Sequence, residues 1–417
     1  MSKISISEAS SILKISIDTI RRWDKKGLIK SERDKQNQRI FDVKEVEKAY
    51  KKYIKGGKSP KLKFLKSKLK TKYKTVELFA GCGGLALGLE NAGFNHSLLI
   101  EIDKNAVQTL KKNRPKWNIE CIDVKDYLYK NIFADVVTGG FPCQAFSTAG
   151  NKLGFEDIRG TLFFELARAV KEIKPKIAVG ENVKGLLRHD NGRTLKVMTD
   201  VMDEIGYNVV TKVLRAQYLD VPQKRERLFI LCIRKDLDFP FVLPKEKDYT
   251  ISLKEALNNV PYSVGQLYPE GKEKIMNLIP EGGYWKDLPD NLQREYMNKS
   301  YFMGGGKTGM ARRLSWEEPS LTLTCAPAQK QTERCHPAQT RPLSVREYAR
   351  IQTFPDSWIF EGSMGSQYKQ IGNAVPVNLG YHLGRSLIGM LDKNIDYSTM
   401  QEIRVNDSES DQLTLFS

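Results

Sequence analysis

The stretch ADVVTGGFPCQAFSTAG, residues 134–150, decides how the fold of this chain is interpreted. Its apolar run ends in two glycines, which is the pattern of a short buried β-strand followed by a turn. Pro142 and Cys143 come directly after that turn. A thiol at such a position is a candidate nucleophile, because the thiolate is the reactive form and local dipoles can lower its pKa. The alternative is a buried cysteine that only packs in the core.

The sequence around this strand alternates between strand and helix patterns from residue 75 to residue 245. Strands are predicted at TVELFAG (75–81), HSLLIEID (96–103), KIAVGEN (176–182), YNVVTKVLR (207–215) and RLFILCIR (227–234). Helices are predicted between them, for example at GLALGLENAG (84–93) and KNAVQTLKKN (104–113). This alternation predicts an α/β fold with an open, doubly wound, Rossmann-like sheet. Ligands bind such sheets at the carboxyl ends of the strands, where Cys143 is expected.

Charge divides the chain into a basic front end and a nearly neutral body. The formal net charge of the 417 residues is +17, and residues 1–74 alone contain 23 Lys/Arg and 8 Asp/Glu. A basic front end favours nucleic acid as a partner, although a solvated arm is the alternative. The six cysteines are scattered and no membrane-spanning run or signal peptide is found, so we expect free thiols, a cytoplasmic location and no membrane partner.

Five segments follow from charge, periodicity and glycine content. The predicted order is a small DNA-binding module (1–54), a basic linker (55–74), a catalytic domain (75–245, completed by 366–392), an irregular domain (246–365) and a polar tail (393–417). The first module resembles the winged helix-turn-helix of MerR-type regulators and excisionases. That resemblance implies that its second helix enters the major groove and that Arg21, Arg22 and Lys25 contact phosphates or base edges. A helical protein-interaction module is the alternative.

Polar residues at the predicted strand ends suggest a nucleoside site. Gly81, Gly83 and Gly84 separate a strand from a helix, and a helix N-terminus favours an anionic group. Glu101 ends the next strand, where a carboxylate can accept hydrogen bonds from both ribose hydroxyls. Asp123 follows a further short strand and can reach an adenine amino group.

Three other charged residues occur at neighbouring strand ends. Glu181 can act as an acid or a hydrogen-bond donor toward a ring nitrogen. Arg225 and Arg227 are two residues apart on a strand and therefore share a face, which suits a phosphate or a carbonyl oxygen. The alternative for Glu181 is a surface glutamate at a strand end, and for the two arginines it is a pair of surface ion-pair partners.

Six ordered motifs resemble those of the DNA (cytosine-5)-methyltransferases, from about residue 75 to residue 391. The motifs are ELFAGCGG (77–84), GGFPCQAFS (139–147), ENV (181–183), QKRER (223–227), RPLSVREYARIQTFPD (341–356) and QIGNAVPVNLG (370–380). The resemblance implies S-adenosylmethionine as cofactor, no metal, and a double-stranded DNA substrate whose target cytosine is flipped out. It also implies that the enzyme belongs to a restriction-modification system and acts with a cognate restriction endonuclease. We expect it to act as a monomer on DNA.

The resemblance assigns roles to individual residues. Cys143 would add to carbon 6 of cytosine, Glu181 would assist at ring nitrogen 3, and the Arg225 and Arg227 motif would hold the base or its phosphate. The cofactor residues implied are Phe79, Gly81, Gly83, Gly84, Glu101, Asp123, Pro142, Asn373 and Val375.

The region 246–365 falls where the family carries its target-recognition domain. Glycines in the stretch MGGGKTGMARR, residues 303–313, permit close approach to DNA. The side chains predicted to reach bases or phosphate are Lys307, Arg312, Arg313, Lys330 and Arg334.

The tail ends in QLTLFS, residues 412–417. This segment resembles the short peptide with which bacterial proteins dock on the replication sliding clamp. Gln412, Leu413, Leu415 and Phe416 are the residues that would enter the clamp.

Two other functions remain open at this point. An RNA cytosine-5 methyltransferase would use the same chemistry, but the long recognition region and the DNA-type front module disfavour it. The second alternative is a transcription regulator whose enzyme domain has lost its activity. The presence of Cys143, Glu181 and Arg225 disfavours it.

Overall fold

A small winged module forms the N-terminal part of the chain. In this computed structural model the described residues are 3–13, 17–25, 27–34, 36–50, 59–141, 162–304 and 307–403. The module contains β1 (Lys3–Ser5), α1 (Ile6–Leu13), α2 (Ile17–Lys25), β2 (Ser31–Arg33), β3 (Arg39–Asp42) and α3 (Val43–Tyr50). Strands β1, β3 and β2 form an antiparallel sheet in that order, over a core that includes Ile20, Trp23 and Phe41. The sequence did not predict β1.

A seven-stranded sheet forms the centre of the catalytic domain. Its strands are β4 (Lys74–Leu78), β5 (Asn95–Glu101), β6 (Ile119–Cys121), β7 (Val136–Gly139), β8 (Ile177–Val183), β9 (Tyr207–Arg215) and, after the short β10 (Gln223–Lys224), β11 (Glu226–Arg234). The strand order is β6-β5-β4-β7-β8-β11-β9, and β11 alone runs opposite to the other six strands. The chain reverses its winding between β4 and β7, which is where such sheets open a crevice for ligands. The prediction of an open doubly wound α/β sheet is confirmed.

Helices cover both faces of this sheet. Those between and after the strands are α4 (Gly84–Ala92), α5 (Lys104–Asn113), α6 (Leu162–Ile173) and α7 (Arg193–Glu204). On one face, Leu85 and Leu89 of α4 share a core with Val136 and Val179 of the sheet. On the other face, Leu166 of α6 and similar residues of α7 pack on alternate strand positions. Side chains that alternate along each strand therefore fill two separate cores.

The remaining elements lie in the irregular region 246–365, the second region, and in the segments on either side of it. They are β12 (Val242–Pro244), α8 (Leu253–Ala256), α9 (Glu270–Asn277), α10 (Asp290–Met297), β13 (Ser320–Leu321), α11 (Val345–Ile351), α12 (Met364–Asn373), α13 (Val377–Leu391) and β14 (Met400–Glu402). Helix α11 packs with α4 and α12 in a shared core. The second region has a separate hydrophobic core, which is formed by residues between 268 and 335.

Residues 59–73, which the sequence places in a linker, lie along the catalytic domain. The Leu65 N–H donates to Asn378 Oδ1, and Asn378 Nδ2 donates back to the Lys63 carbonyl. Further along, the Thr71 N–H donates to the Gly93 carbonyl. The backbone of this segment is therefore fastened to α13 and to the end of α4.

The contact between α4 and α13 depends on glycine. A Cβ atom on Gly88 would lie 2.6 Å from the Val377 carbonyl oxygen and 2.7 Å from Gly380 Cα. Both neighbours are backbone atoms, so the helices would have to move apart to admit a methyl group.

We expect the substitution Gly88→Ala to lower the free energy of unfolding by about 1–3 kcal/mol, because it overpacks a helix contact. Urea denaturation of the two proteins measures the difference. The matched control is Gly271→Ala in α9, where a Cβ would meet nothing within 4 Å and alanine is the better helix former. Equal stability of Gly88→Ala and the wild type would contradict the expectation.

Candidate active site

A cavity of about 940 Å³ lies at the carboxyl ends of the central strands. Its walls come from the ends of β4, β5, β7 and β8, from the residues before β11 and from the end of α12. Residues that are far apart in sequence therefore meet in one place. The predicted site residues that line it are Phe79, Gly81, Gly84, Glu101, Asp123, Glu181, Arg225, Arg227, Asn373 and Val375.

The turn after β4 forms one end of the cavity. Phe79 has φ 57°, Gly81 φ 53° and Gly83 φ 86°, so the chain makes a left-handed turn before α4 begins. Gly83 does not line the cavity, since a Cβ there would lie 2.6 Å from Leu110 Cδ2 in the core. At Gly81 a Cβ would meet no atom within 4 Å, which leaves open space above the turn. The turn thus exposes backbone to a ligand at the start of a helix.

Two carboxylates, those of Glu101 and Asp123, line the same cavity as this turn. Glu101 Oε2 accepts a hydrogen bond from the Gly81 N–H at 2.7 Å, and Oε1 accepts one from the Asp103 N–H at 2.8 Å. Asp123 Oδ1 accepts from the Lys125 N–H at 3.0 Å. A carboxylate has about four acceptor positions, so Glu101 keeps lone pairs for further donors.

Glu77 is a cavity residue that the sequence interpretation did not single out. It lies on β4 and is 3% exposed, and its Oε2 has no hydrogen-bond partner among the described residues. Burial raises the pKa of Glu77 to about 8, against the opposing effect of an Ala86 backbone N–H. The signal that could have found it is a carboxylate inside an otherwise apolar strand pattern.

A buried acid, Glu181, is paired with an arginine at the other end of the cavity. Glu181 Oε1 is 2.9 Å from Arg227 Nε, and Arg227 pairs in register with Val183, two residues after Glu181, across β8 and β11. Burial raises the pKa of Glu181, while the charges of Arg227 and Arg225 oppose the rise. Burial is the stronger influence, because the carboxylate has lost its water and holds a single ion-pair partner.

Arg225 is only 1% exposed, and two backbone carbonyls hold its guanidinium. Nη1 donates to Leu323 O and Nη2 to Asn373 O, each at 3.4 Å, and Nε has no partner among the described residues. Burial lowers the pKa of Arg225 to about 9. The group therefore keeps its positive charge at neutral pH and directs it into the cavity.

The end of α12 closes the cavity opposite the glycine turn. Asn373 Oδ1 accepts a hydrogen bond from Cys325 Sγ at 2.9 Å. The Val375 carbonyl packs so closely on α4 that a Cβ on Gly84 would lie 2.2 Å from its oxygen. Only glycine fits at that position, which explains the third glycine of the ELFAGCGG motif.

Cys143 and Pro142 lie outside the described residues. The residues just before them are described, and they bring the chain to Glu181. Phe141 O accepts from Asn182 Nδ2 at 3.0 Å, and a Cβ on Gly140 would lie 3.0 Å from Glu181 Oε2. The chain therefore passes beside the buried acid immediately before the predicted nucleophile.

Arg313 and Arg334, which are predicted to reach DNA, are buried among protein groups. Arg313 is 5% exposed, and its guanidinium donates to the carbonyls of Met276, Ile279 and His336 and to Thr340 Oγ1. Arg334 is equally buried and donates to the Thr322 and Glu333 carbonyls. Both side chains bind backbone oxygens of the second region, so they hold this region together.

The other predicted DNA contacts of this region also touch protein atoms. Lys307 donates to the Ser300 and Met303 carbonyls, and Lys330 donates to the Tyr296 carbonyl at 2.5 Å. The Arg312 guanidinium lies 5.6 Å from the centre of the Tyr284 ring.

Only some of the residues that are predicted to contact DNA in the N-terminal module belong to the described part of the chain. Arg21 lies on α2 and is exposed, whereas the side chains of Arg22 and Lys25 lie outside the described part of the chain. The clamp-binding residues Gln412, Leu413, Leu415 and Phe416 lie outside it as well.

The described residues hold no group of three or more His, Cys, Asp or Glu side chains that could bind a metal ion. Within the same ranges, every helix is too short or too polar to cross a bilayer.

Comparison with known proteins identifies the family. Residues 73–389 match the C-5 cytosine-specific DNA methylases, and residues 5–41 match the MerR family regulatory proteins. Type II methyltransferase M.Eco47II of Escherichia coli is 53% identical over 94% of this chain and 96% of its own length. Type II methyltransferase M.PspPI of a Psychrobacter species is 58% identical over 77% of this chain and 80% of its own length.

A solved structure supports the fold. The crystal structure of a DNMT2 variant from Spodoptera frugiperda aligns with a TM-score of 0.57 over 76% of this chain and 100% of that one, at 19% identity. The family match covers most of the chain, and the resemblance drawn from the six motifs is confirmed. The chain belongs to the C-5 cytosine-specific DNA methylases and is a DNA (cytosine-5)-methyltransferase of the type II class.

Proposed function

We propose that the protein methylates carbon 5 of a flipped-out cytosine in a short, specific duplex DNA sequence, through a covalent adduct with Cys143. One arrangement carries this proposal. A buried acid with a raised pKa, Glu181, forms an ion pair with Arg227 and shares one cavity with Arg225, Glu101 and the glycine turn. Acid and cofactor residues that share one cavity are what a two-substrate transfer reaction needs.

Methyltransferases of this family use S-adenosylmethionine, and the cavity residues fit that group. It supplies an electrophilic methyl group. We propose that Glu101 accepts hydrogen bonds from the ribose, that Asp123 accepts from the adenine amino group and that Phe79 packs on the adenine. The Gly81–Gly84 turn, Pro142, Asn373 and Val375 would complete the binding site.

The chain's own residues would carry the remaining chemistry. The Cys143 thiolate would add to carbon 6 of cytosine, and Glu181 would donate a hydrogen bond or a proton to ring nitrogen 3. Carbon 5 then has enamine character and takes the methyl group. Loss of the carbon 5 proton and elimination of the thiolate restore the aromatic ring. The buried Arg225 and the partly buried Arg227 would hold the carbonyl oxygen of the base or its phosphate.

Methyl transfer to duplex DNA and to RNA of the same sequence separates this proposal from the RNA alternative. We expect tritium from labelled cofactor to enter duplex DNA alone, and bisulfite sequencing of DNA from expressing cells to map the methylated sequence. Transfer to RNA alone would overturn the proposal.

We expect Glu101→Gln to raise the Kd for S-adenosylmethionine about 10- to 100-fold, because a charge-assisted hydrogen bond to the ribose is lost. The amide oxygen can still accept from one of the two backbone N–H groups, and a thermal midpoint shows whether the fold is kept. Isothermal titration measures the Kd, and the matched control is Glu120→Gln on the neighbouring β6, which does not line the cavity. Equal affinities of Glu101→Gln and the wild type would contradict the role.

We propose that residues 1–54 provide a second DNA contact, which anchors the enzyme or regulates its own gene. The MerR match over residues 5–41 and the excess of basic residues support this. Deletion of residues 1–58 should lessen the salt dependence of DNA affinity and leave the methylated sequence unchanged. Loss of target choice would contradict the proposal. A cognate restriction endonuclease and the sliding clamp remain proposed partners, the first supported by the type II class of the relatives.

A further inference from the structure

Segment 320–325 passes between the second region and the wall of the cavity. Residues Ser320 and Leu321 form β13, which pairs in parallel with β10. Two hydrogen bonds that involve side chains then fix the next residues of the segment to Gln223 and Lys224. Thr322 Oγ1 donates to Lys224 O at 2.6 Å, and the Leu323 N–H donates to Gln223 Oε1 at 2.9 Å. The segment is therefore held rigidly against the residues that precede β11.

The segment also touches the backbone of α12 directly. A Cβ on Gly372 would lie 2.4 Å from Thr324 O and 2.9 Å from Cys325 N, so only glycine allows the two chains to meet. Arg225 spans the same contact, because its guanidinium donates to both Leu323 O and Asn373 O. This packing places Cys325 next to Asn373.

The thiol of Cys325 lines the cavity and donates to Asn373 Oδ1 at 2.9 Å. Burial raises the pKa of Cys325, which keeps the proton on sulfur at neutral pH and allows the thiol to donate. Because the Asn373 amide oxygen is occupied by this hydrogen bond, its NH₂ group is the part of the side chain that remains for another partner. Asn373 is exposed and itself lines the cavity.

We infer that Cys325 is a positioning residue, which orients the Asn373 amide so that its NH₂ group serves the cofactor. This inference rests on the proposed function of the cavity. It adds a residue outside the six family motifs, supplied by the second region, to the machinery that holds the cofactor. The thiol touches Asn373 and need not touch the reacting atoms.

The test compares full-length wild type, Cys325→Ala and Cys325→Ser. Alanine removes the donor, whereas a serine hydroxyl keeps one. We expect Cys325→Ala to raise the Kd for S-adenosylhomocysteine and the KM for S-adenosylmethionine about 3- to 10-fold, as loss of one neutral hydrogen bond predicts. We expect kcat at saturating cofactor to stay within about twofold, and Cys325→Ser to restore both constants to within about twofold.

The control variant is Cys121→Ala, which removes an exposed thiol that does not line the cavity. Thermal midpoints of all four proteins show whether a variant is merely destabilised. If the wild type and Cys325→Ala bind S-adenosylhomocysteine equally well, the inference is overturned and the proposed function is unaffected. Equal weakening by alanine and serine would overturn it too, because it indicates a packing role. Absence of binding by the wild type would overturn the proposed function together with the inference.

Discussion

Replacement of Cys143 by alanine is expected to lower methyl transfer by a factor of about 10⁴ or more, because the reaction loses its nucleophile. Cytosine carbon 5 is a poor nucleophile until a group adds at carbon 6, and a methyl side chain cannot add. Most of the residues proposed to hold the cofactor lie at or just after the ends of β4, β5, β6 and α12, and Pro142 is left unchanged by the substitution. Binding of S-adenosylhomocysteine should therefore stay within about threefold of the wild type.

A covalent trap distinguishes this role from a packing role. Duplex DNA with 5-fluorocytosine at the mapped target cannot lose its carbon 5 substituent, so the adduct should survive denaturing electrophoresis. We expect the adduct with the wild type and with Cys232→Ala, whose thiol is buried on β11 within the core. We expect none with Cys143→Ala. An adduct formed by Cys143→Ala would assign the nucleophile to another residue.

Strand ends are the part of the site that sequence could predict. An apolar run bounded by glycine marks both the strand and the place where it ends, so Gly81, Glu101 and Glu181 were expected at one edge of the sheet. The structure places them there, because parallel strands bring their carboxyl ends together. The periodicity that predicts a strand therefore also predicts where its terminal side chain points.

Contacts made by irregular segments could not be predicted in this way. The sequence around Arg313 shows basic residues beside glycines, which is also the pattern of a DNA-binding loop. Burial against the carbonyls of Met276 and Ile279 depends on where the chain places residues some 35 positions away. The same holds for Cys325 and Asn373, which meet across 48 residues. No local periodicity encodes such pairs.

Substitution of Glu181 by glutamine should lower kcat by a factor of about 10²–10⁴, the usual contribution of a positioned proton donor. Glutamine is the informative change because its amide oxygen can still accept from Arg227 Nε, as Glu181 Oε1 does at 2.9 Å. Alanine would instead leave the largely buried Arg227 without its ion-pair partner, which lowers stability. Loss of activity in Glu181→Gln can then be separated from loss of fold by a thermal midpoint close to that of the wild type.

The dependence of kcat on pH tests the role of Glu181 more directly than the loss of activity does, because burial raises the pKa of Glu181. A proton donor must be protonated, so activity in the wild type should fall as the pH rises through that raised pKa. The raised value places this descending limb nearer to neutrality than the ordinary glutamic acid pKa of about 4.3 would. Glutamine has no proton to lose, so the limb should vanish in Glu181→Gln. The control, Glu226→Gln, changes a half-exposed carboxylate paired with Lys184 and should keep the limb. Retention of the limb in Glu181→Gln would assign the titration to another group, and the buried Glu77, whose pKa is raised to about 8, is a candidate in the same cavity.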